Sequence, residues 1–241
     1  MRVSKQGAQR LRSGHVWVYR DDARDPGGLQ PGQLVRVDDP QGNFIGQAFW
    51  AQKSKLALRL LSRSDETIDA AWFRRRLERA LQRRRQLEPT ADAFRWVHGE
   101  SDELPGLLVD KYGDALTMQT LSEGADARKL EWAPVLAELA GAKKVVLRDD
   151  GSSRDFEGLP RESRILIGSD ANARYHEGDN LFEADLMADH KTGAFLDQRG
   201  EDALRQPVLQ LGVDRVGEVL LHRVHKGVHH AVGGLESHVF H

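Results

Sequence analysis

The sequence predicts an α+β fold: a small β-barrel, a basic helix, then a mixed α/β domain built with β-hairpins. Three observations predict it. Residues 1–66 alternate short apolar runs with turn clusters. Residues 68–87 carry apolar side chains at helical spacing, with arginines on the other faces. Residues 94–200 mix strand, turn and helix signals, with no long uniform stretch. The 241 residues, 39% hydrophobic and 30% charged, suffice for one large domain or two small ones.

In the first segment, Gln6 to Arg12 suits a short helix, and His15 to Tyr19 is a Val/Trp/Tyr run with strand character. Pro26-Gly27-Gly28 and Gln30-Pro31-Gly32 are turn clusters. Leu34-Val35-Arg36-Val37 alternates as a half-buried strand does. The turn Asp38 to Asn43 follows, then strands at Phe44 to Trp50 and Leu56 to Leu61. The helix over 68–87 places Phe73, Leu77, Ala80, Leu81 and Leu87 on one face, with Asp65 or Thr67 as cap and Pro89 as stop. Further on, Leu107 to Val109 and Ala115 to Leu121 read as a hairpin around 110–114. Ala127 to Ala140 reads as a helix ended by Gly141, and Val145 to Leu147 as a strand. Asp149 to Pro160 reads as a loop. Arg174 to His176 and Leu181 to Leu186 flank Glu177-Gly178-Asp179-Asn180 as a second hairpin.

Composition narrows the function. A formal net charge of −2 gives no whole-chain attraction to polyanions, so nucleic-acid contact needs a local basic patch. With no cysteine, disulfides, thiolate metal sites and a cysteine nucleophile are excluded from these residues. The N-terminus MRVSKQGAQRLRSG lacks an apolar run, and no stretch of roughly 18 apolar residues is present. The expectation is a soluble cytoplasmic protein without a membrane partner.

Two segments concentrate chemistry. Gly99-Glu100-Ser101-Asp102-Glu103-Leu104-Pro105-Gly106, before Leu107-Leu108-Val109, is at its simplest a turn entering a hairpin, with Pro105 fixing φ and Gly106 permitting the bend. His190-Lys191-Thr192-Gly193-Ala194-Phe195-Leu196-Asp197-Gln198-Arg199 is at its simplest a charged loop before a helix, though Lys191 and Arg199 suit an anion and Asp197 and Gln198 a polar ligand. Together, GESDELPGLLVDKYG and HKTGAFLDQR resemble the signature stretches of the large-subunit rRNA cytosine-C5 methyltransferase I family. The opening Arg10-Leu11-Arg12-Ser13-Gly14-His15-Val16-Trp17-Val18-Tyr19 and the segment Phe73-Arg74-Arg75-Arg76-Leu77 are similar to that family as well, so the likeness runs from about residue 2 to 205.

The resemblance implies a PUA-like RNA-binding domain over 1–66, a basic linker helix over 67–88 and a central α/β domain over 89–204. In the family, a Rossmann-like domain then binds S-adenosylmethionine. Lys191, Asp197, Gln198 and Arg199 would edge that cofactor cleft. Beyond them the pattern breaks. Pro207 to Gly212 begins like the cofactor-binding strand but runs into Val213-Asp214-Arg215-Val216-Gly217-Glu218, and Gln210 stands where an acid is expected. The expectation is that the Rossmann domain is essentially missing, that 205–241 is an aberrant His/Val/Gly-rich tail, poorly ordered or packed, and that this chain does not bind the cofactor. Cytosine C5 attack requires a thiolate to add at C6 first, which the family supplies from cysteines and this chain does not. No catalytic residue is therefore expected here.

Arg74, Arg75, Arg76, Arg79, Arg83, Arg84 and Arg85 form either a solvated face or a phosphate-binding stripe. Arg10, Arg12, His15 and Arg20 suggest a second patch, with Trp17 either beside it or in the core. His222, His225 and His229 have spacing that a helix would turn into a zinc face, but Gly227, Gly233 and Gly234 oppose a helix, so no metal site is expected. The expected function is the RNA-binding portion of a 23S rRNA (cytosine-C5) methyltransferase, catalytically incomplete as it stands, with large-subunit ribosomal RNA as partner. Three classes remain open: an enzyme active through an unusual tail or a partner chain, a stand-alone RNA-binding module, and a non-functional fragment of a disrupted gene.

Overall fold

The fold is taken from a computed structural model that describes residues 1–24, 27–85, 91–188, 196, 212–213 and 219–220. The chain divides into two units, Met1–Leu196 and Asp197–His241. In the second, Gly212–Val213 and Val219–Leu220 pair antiparallel. The cleft-edge residues Lys191, Asp197, Gln198 and Arg199, and all the tail histidines, lie outside the described residues.

The first unit opens with strand β1 (Arg2–Val3) and helix α1 (Lys5–Arg12), one residue longer than the apolar spacing predicts because Ser4 caps it by accepting from the Gly7 N–H at 3.0 Å. Strands β2 (Trp17–Tyr19), β3 (Ala23–Arg24), β4 (Leu34–Asp38), β5 (Phe44–Trp50) and β6 (Leu56–Ser62) complete a six-stranded sheet in the order β2-β6-β5-β4-β1-β3. Its β4–β5–β6 meander matches the predicted strands. The two-residue strands β1 and β3 carry too little pattern to be read from sequence. Inside lie Val3, Leu11, Val18, Val37, Ala48, Trp50 and Leu58.

Helix α2 (Ala70–Arg84) starts later than predicted. Asp69, neither Asp65 nor Thr67, is the cap, accepting from the Trp72 N–H at 2.8 Å, while Asp65 pairs with Arg36. Of the predicted apolar face, Phe73, Leu77, Ala80 and Leu81 are buried, while Leu87 and the predicted stop at Pro89 lie outside the described residues. Trp72, Phe73, Leu77, Ala80 and Leu81 are buried in one cluster with Phe49 and Leu61 of the first sheet and Phe94, Trp96, Leu107 and Leu116 of the second. The Trp96 indole N–H also donates to the Leu77 carbonyl at 3.1 Å.

The second sheet has five strands, β7 (Ala93–His98), β8 (Leu107–Tyr112), β9 (Ala115–Thr120), β10 (Lys144–Asp149) and β11 (Glu162–Ile167), in the order β11-β10-β9-β8-β7. The predicted β8–β9 hairpin forms with a tighter turn, at Gly113-Asp114. Strands β9 and β10 run parallel, which requires a crossover. Helices α3 (Glu123–Asp126) and α4 (Lys129–Ala140) supply it, and Gly141 ends α4 at φ 62° as predicted. Between β10 and β11, where a loop is predicted, Ser152–Glu157 winds into a 3-10 turn. The hairpin β12 (Asn172–Glu177) and β13 (Asn180–Asp185) turns at the predicted Gly178-Asp179. It covers the other face of the sheet, where Tyr175 packs on Tyr112 at a 5.3 Å centroid distance.

Candidate nucleic-acid interface

The cationic residues expected in the first patch meet protein partners. Arg10 pairs with Asp22 at 2.8 Å, and Arg12 with the buried Asp39 at 2.6 Å. Arg20 is half-buried over the Trp50 ring and donates to the Ala51 and Ser54 carbonyls, so it fastens the 51–55 loop. His15 is exposed. Trp17, open between core and surface in the sequence, is 39% exposed.

On α2, Arg74, Arg76, Arg79, Arg83 and Arg84 each meet a carboxylate of this chain, and Arg79 and Arg83 stay exposed while doing so. Arg74 pairs with Glu138 at 2.8 Å and with Glu78 at 3.1 Å. Arg76 lies over the Trp72 ring and meets Glu103, which Arg79 also approaches at 3.5 Å. Arg83 and Arg84 converge on Asp102. Arg75 is exposed and, among the described residues, has no ion-pair partner. The expected phosphate stripe is thus largely neutralised within the chain. Counting charges on one helix could not reveal this, because the carboxylates come from elsewhere in sequence.

Those carboxylates belong to the first signature segment. Gly99–Asp102 forms a 3-10 turn, closed by Glu103 at φ 59°. Its three acids face different neighbours. Glu100 accepts from the Trp17 indole N–H and from Arg59, each at 3.0 Å, while Asp102 and Glu103 receive the α2 arginines. A segment that reads as a plain turn is therefore the junction of the first sheet, α2 and the second sheet.

A groove of about 1090 Å³ opens beside this junction. Val16, Trp17, Lys53 and Lys55 line it from the first sheet; Glu100, Leu108, Phe156 and Glu157 line it from the second. Its wall is held by the Ser54 hydroxyl donating to Glu157 at 2.6 Å and by Arg59 reaching Glu157 at 2.8 Å. The carboxylate of Glu123 accepts the Gln52 N–H at 2.7 Å and the Lys53 N–H at 3.1 Å, fixing the loop that carries both lysines. Sequence reasoning missed Lys53, Lys55 and Phe156. The signal was present as a polar Lys-Ser-Lys insert between two strands and a phenylalanine in a charged loop.

A partly buried polar cluster lies elsewhere in the same unit. Asp126, Asp149 and Glu162 bring carboxylate oxygens close enough to share a cation. Protein cations already stand there. Arg154, fully buried, reaches Asp149 at 2.8 Å and Asp126 at 2.7 Å, and the Lys129 ammonium bonds Asp126 at 2.7 Å and also Glu162. Burial works against ionisation of Asp126, but the bonds from Lys129 and Arg154 prevail and hold its carboxyl below the ordinary value. The arrangement is that of a structural ion network.

Comparison with known proteins adds a name to the first sheet: residues 1–63 match the family described as PUA-like domain. The chain is 34% identical over 204 residues to the ribosomal RNA large subunit methyltransferase I of Erwinia tasmaniensis, covering 82% of this chain and 51% of that protein. It is 34% identical over 200 residues to the protein of the same name from Alteromonas mediterranea, covering 80% and 50%. The chain thus spans about half the length of the curated relatives it matches. Among solved structures, a Streptococcus mutans protein to which SAM-dependent methyltransferase activity is ascribed superposes with a TM-score of 0.68 at 18% identity, over 83% of this chain and 51% of that one. A second, ascribed methyltransferase activity and complexed with SAH, gives 0.68 at 17% identity over the same shares. At such identities these two likenesses establish the fold alone. Among the described residues, no helix is long and apolar enough to cross a membrane.

Proposed function

We propose that this chain is the RNA-holding portion of a SAM-dependent ribosomal RNA large-subunit methyltransferase directed at cytosine C5. One observation carries the reading: 34% identity, sustained over 82% of the chain, to a protein named ribosomal RNA large subunit methyltransferase I. The match to a PUA-like domain over residues 1–63 supports RNA as the ligand. Of the candidate contacts, the exposed His15 and Arg75 and the outer edges of Arg79 and Arg83 remain to face phosphate. Arg10, Arg12, Arg20, Arg74, Arg76 and Arg84 brace the fold that presents them.

The chemistry of methyl transfer to C5 needs a thiolate, and these 241 residues contain no cysteine. In this reading they bind RNA without transferring a methyl group. Lys191, Asp197, Gln198 and Arg199 would edge the cleft for S-adenosylmethionine, the cofactor being retained only with structure beyond these residues.

The test is binding of the purified chain to unmodified large-subunit rRNA transcripts between about 50 and 200 mM salt, alongside an assay with radiolabelled S-adenosylmethionine. Affinity should fall steeply with salt as phosphate contacts release counterions, with no label incorporated. Label transferred to RNA by this chain alone would refute the incomplete-catalysis part. Absence of salt-dependent RNA binding would refute the whole.

A further inference from the structure

The groove lined by Trp17, Lys53, Lys55 and Phe156 is not used in the reading above. We propose that it is a site for an unpaired stretch of RNA, with bases stacked on the Trp17 and Phe156 rings and phosphates beside Lys53 and Lys55. The inference rests on the RNA-holding function and adds the site and the form of RNA it takes.

Exposed apolar side chains gathered in a groove rimmed by polar residues mark a binding surface, whereas single scattered ones do not. Among the described residues the exposed ones are Trp17, Tyr19, Leu130 and Phe156, and two of the four line this groove. Phe156 is 80% exposed on a turn otherwise made of polar residues. Trp17 is not loose: its indole N–H is tied to Glu100 at 3.0 Å, which orients the ring and leaves its π surface available. A ring already fixed loses little freedom when a base stacks on it.

The cations are equally prepared. Lys53 and Lys55 are exposed and, among the described residues, have no carboxylate partner, whereas most of the basic helix does. Their backbone is held by Glu123 and Ser54. The stem of Lys53 lies against Gly158, where an added Cβ would come within 2.5 Å of its Cδ, so a larger residue there would displace it. Glu157, only 4% exposed, accepts from Ser54 and Arg59 through Oε1 and so holds the groove wall in place.

The combination selects the ligand. Aromatic rings beside free cations bind single strands, because every base offers a face to stack and every linkage a phosphate. A duplex hides its base faces. A volume of about 1090 Å³ lies just above the roughly 300–1,000 Å³ range of small-molecule pockets, room for more than one base. An apolar peptide would fill the groove but leave both lysines unanswered.

The experiment uses the whole chain and titrates it with a fluorescent eight-nucleotide single-stranded oligoribonucleotide and with the corresponding duplex. The single strand should bind more tightly. Trp17→Ala and Phe156→Ala should each weaken it about tenfold. Trp17→Phe should restore most of the loss, and Lys53→Ala with Lys55→Ala should flatten the salt dependence by about two phosphate contacts. If the two ring variants keep wild-type affinity for the single strand while rRNA transcripts still bind in a salt-dependent way, the site is elsewhere and only the broader reading survives. If no RNA binds at all, both fall. Equal affinity for strand and duplex, or a peptide that displaces the oligonucleotide while the ring variants do not respond to RNA, would also overturn it.

Discussion

Arg84 grips Asp102 with two hydrogen bonds, Nη1 to Oδ1 at 2.6 Å and Nη2 to Oδ2 at 2.8 Å. Asp102 is 4% exposed and also accepts the His98 N–H at 2.7 Å. One carboxylate thus ties the basic helix to the turn between β7 and β8 of the second sheet. Asp102→Ala would leave Arg83 and Arg84 facing each other and a backbone N–H without its acceptor. Removing one partner of such a pair costs about 3–5 kcal/mol when fully buried, and the partial exposure of Arg84 brings the expectation to about 2–4 kcal/mol. Urea unfolding at pH 7 measures it. A loss under about 1 kcal/mol would mean the helix is held by its apolar face alone.

Gly106 sits at φ 75°, and a Cβ there would lie 2.2 Å from the Ser122 hydroxyl oxygen. Gly106→Ala therefore combines a left-handed backbone with a clash, and is expected to cost more than about 2 kcal/mol. Its thermal midpoint should fall well below that of Gly178→Ala, where φ is 58° but nothing lies within 4 Å. Equal midpoints for the two would contradict the role given to Ser122.

The Lys129 ammonium already neutralises the acids around it. Lys129→Met should lower stability by about 2–4 kcal/mol, because Asp126 and Glu162 lose a shared partner. Neither EDTA nor millimolar Mg²⁺ should shift the melting temperature of the wild-type chain. A rise of several degrees with Mg²⁺ would show that the carboxylates take a metal after all.

Asp39 is nearly buried, and hydrogen bonds from the Asn43 side chain first, then from Arg12, hold its carboxyl well below the usual carboxylate range. A carboxyl with a depressed folded value contributes stability above the unfolded value of about 3.9 and loses it as pH falls through the folded one. Asp39→Asn should therefore be less stable than wild type at pH 7, with the gap narrowing below about pH 4. Denaturant midpoints at pH 7 and pH 3 check the sign; an unchanged gap would sink the assignment.

For RNA binding, Arg75→Ala and Arg74→Ala should part company. Arg75 is exposed and unpaired among the described residues, so its loss should reduce the salt slope by about one contact. Arg74 is committed to Glu138, whose carboxyl it holds below the ordinary value, so its removal should leave the slope nearly unchanged. Filter binding at four salt concentrations separates them.

Much of the fold was legible in the residues. The alternation in Leu34 to Val37, the Gly113 and Gly178 turns and the Gly141 stop each found their place, because period and turn chemistry act within a few residues. Strands β7 and β11 were not foreseen. Ala93–His98 and Glu162–Ile167 mix charges among apolar residues, and they become strands only beside partners that share their sheet edges.

By itself the sequence determined the local elements, the absence of cysteine and the likeness that points to ribosomal RNA. Tertiary structure alone decided what the charges are for. Arginines that look like a phosphate stripe on α2 meet Asp102, Glu103 and Glu138, while two lysines in an unremarked loop stay free beside Trp17 and Phe156. The physical reason is range: backbone preference is set by near neighbours, but the partner of an ion or the exposure of a ring depends on groups brought close only when the chain folds.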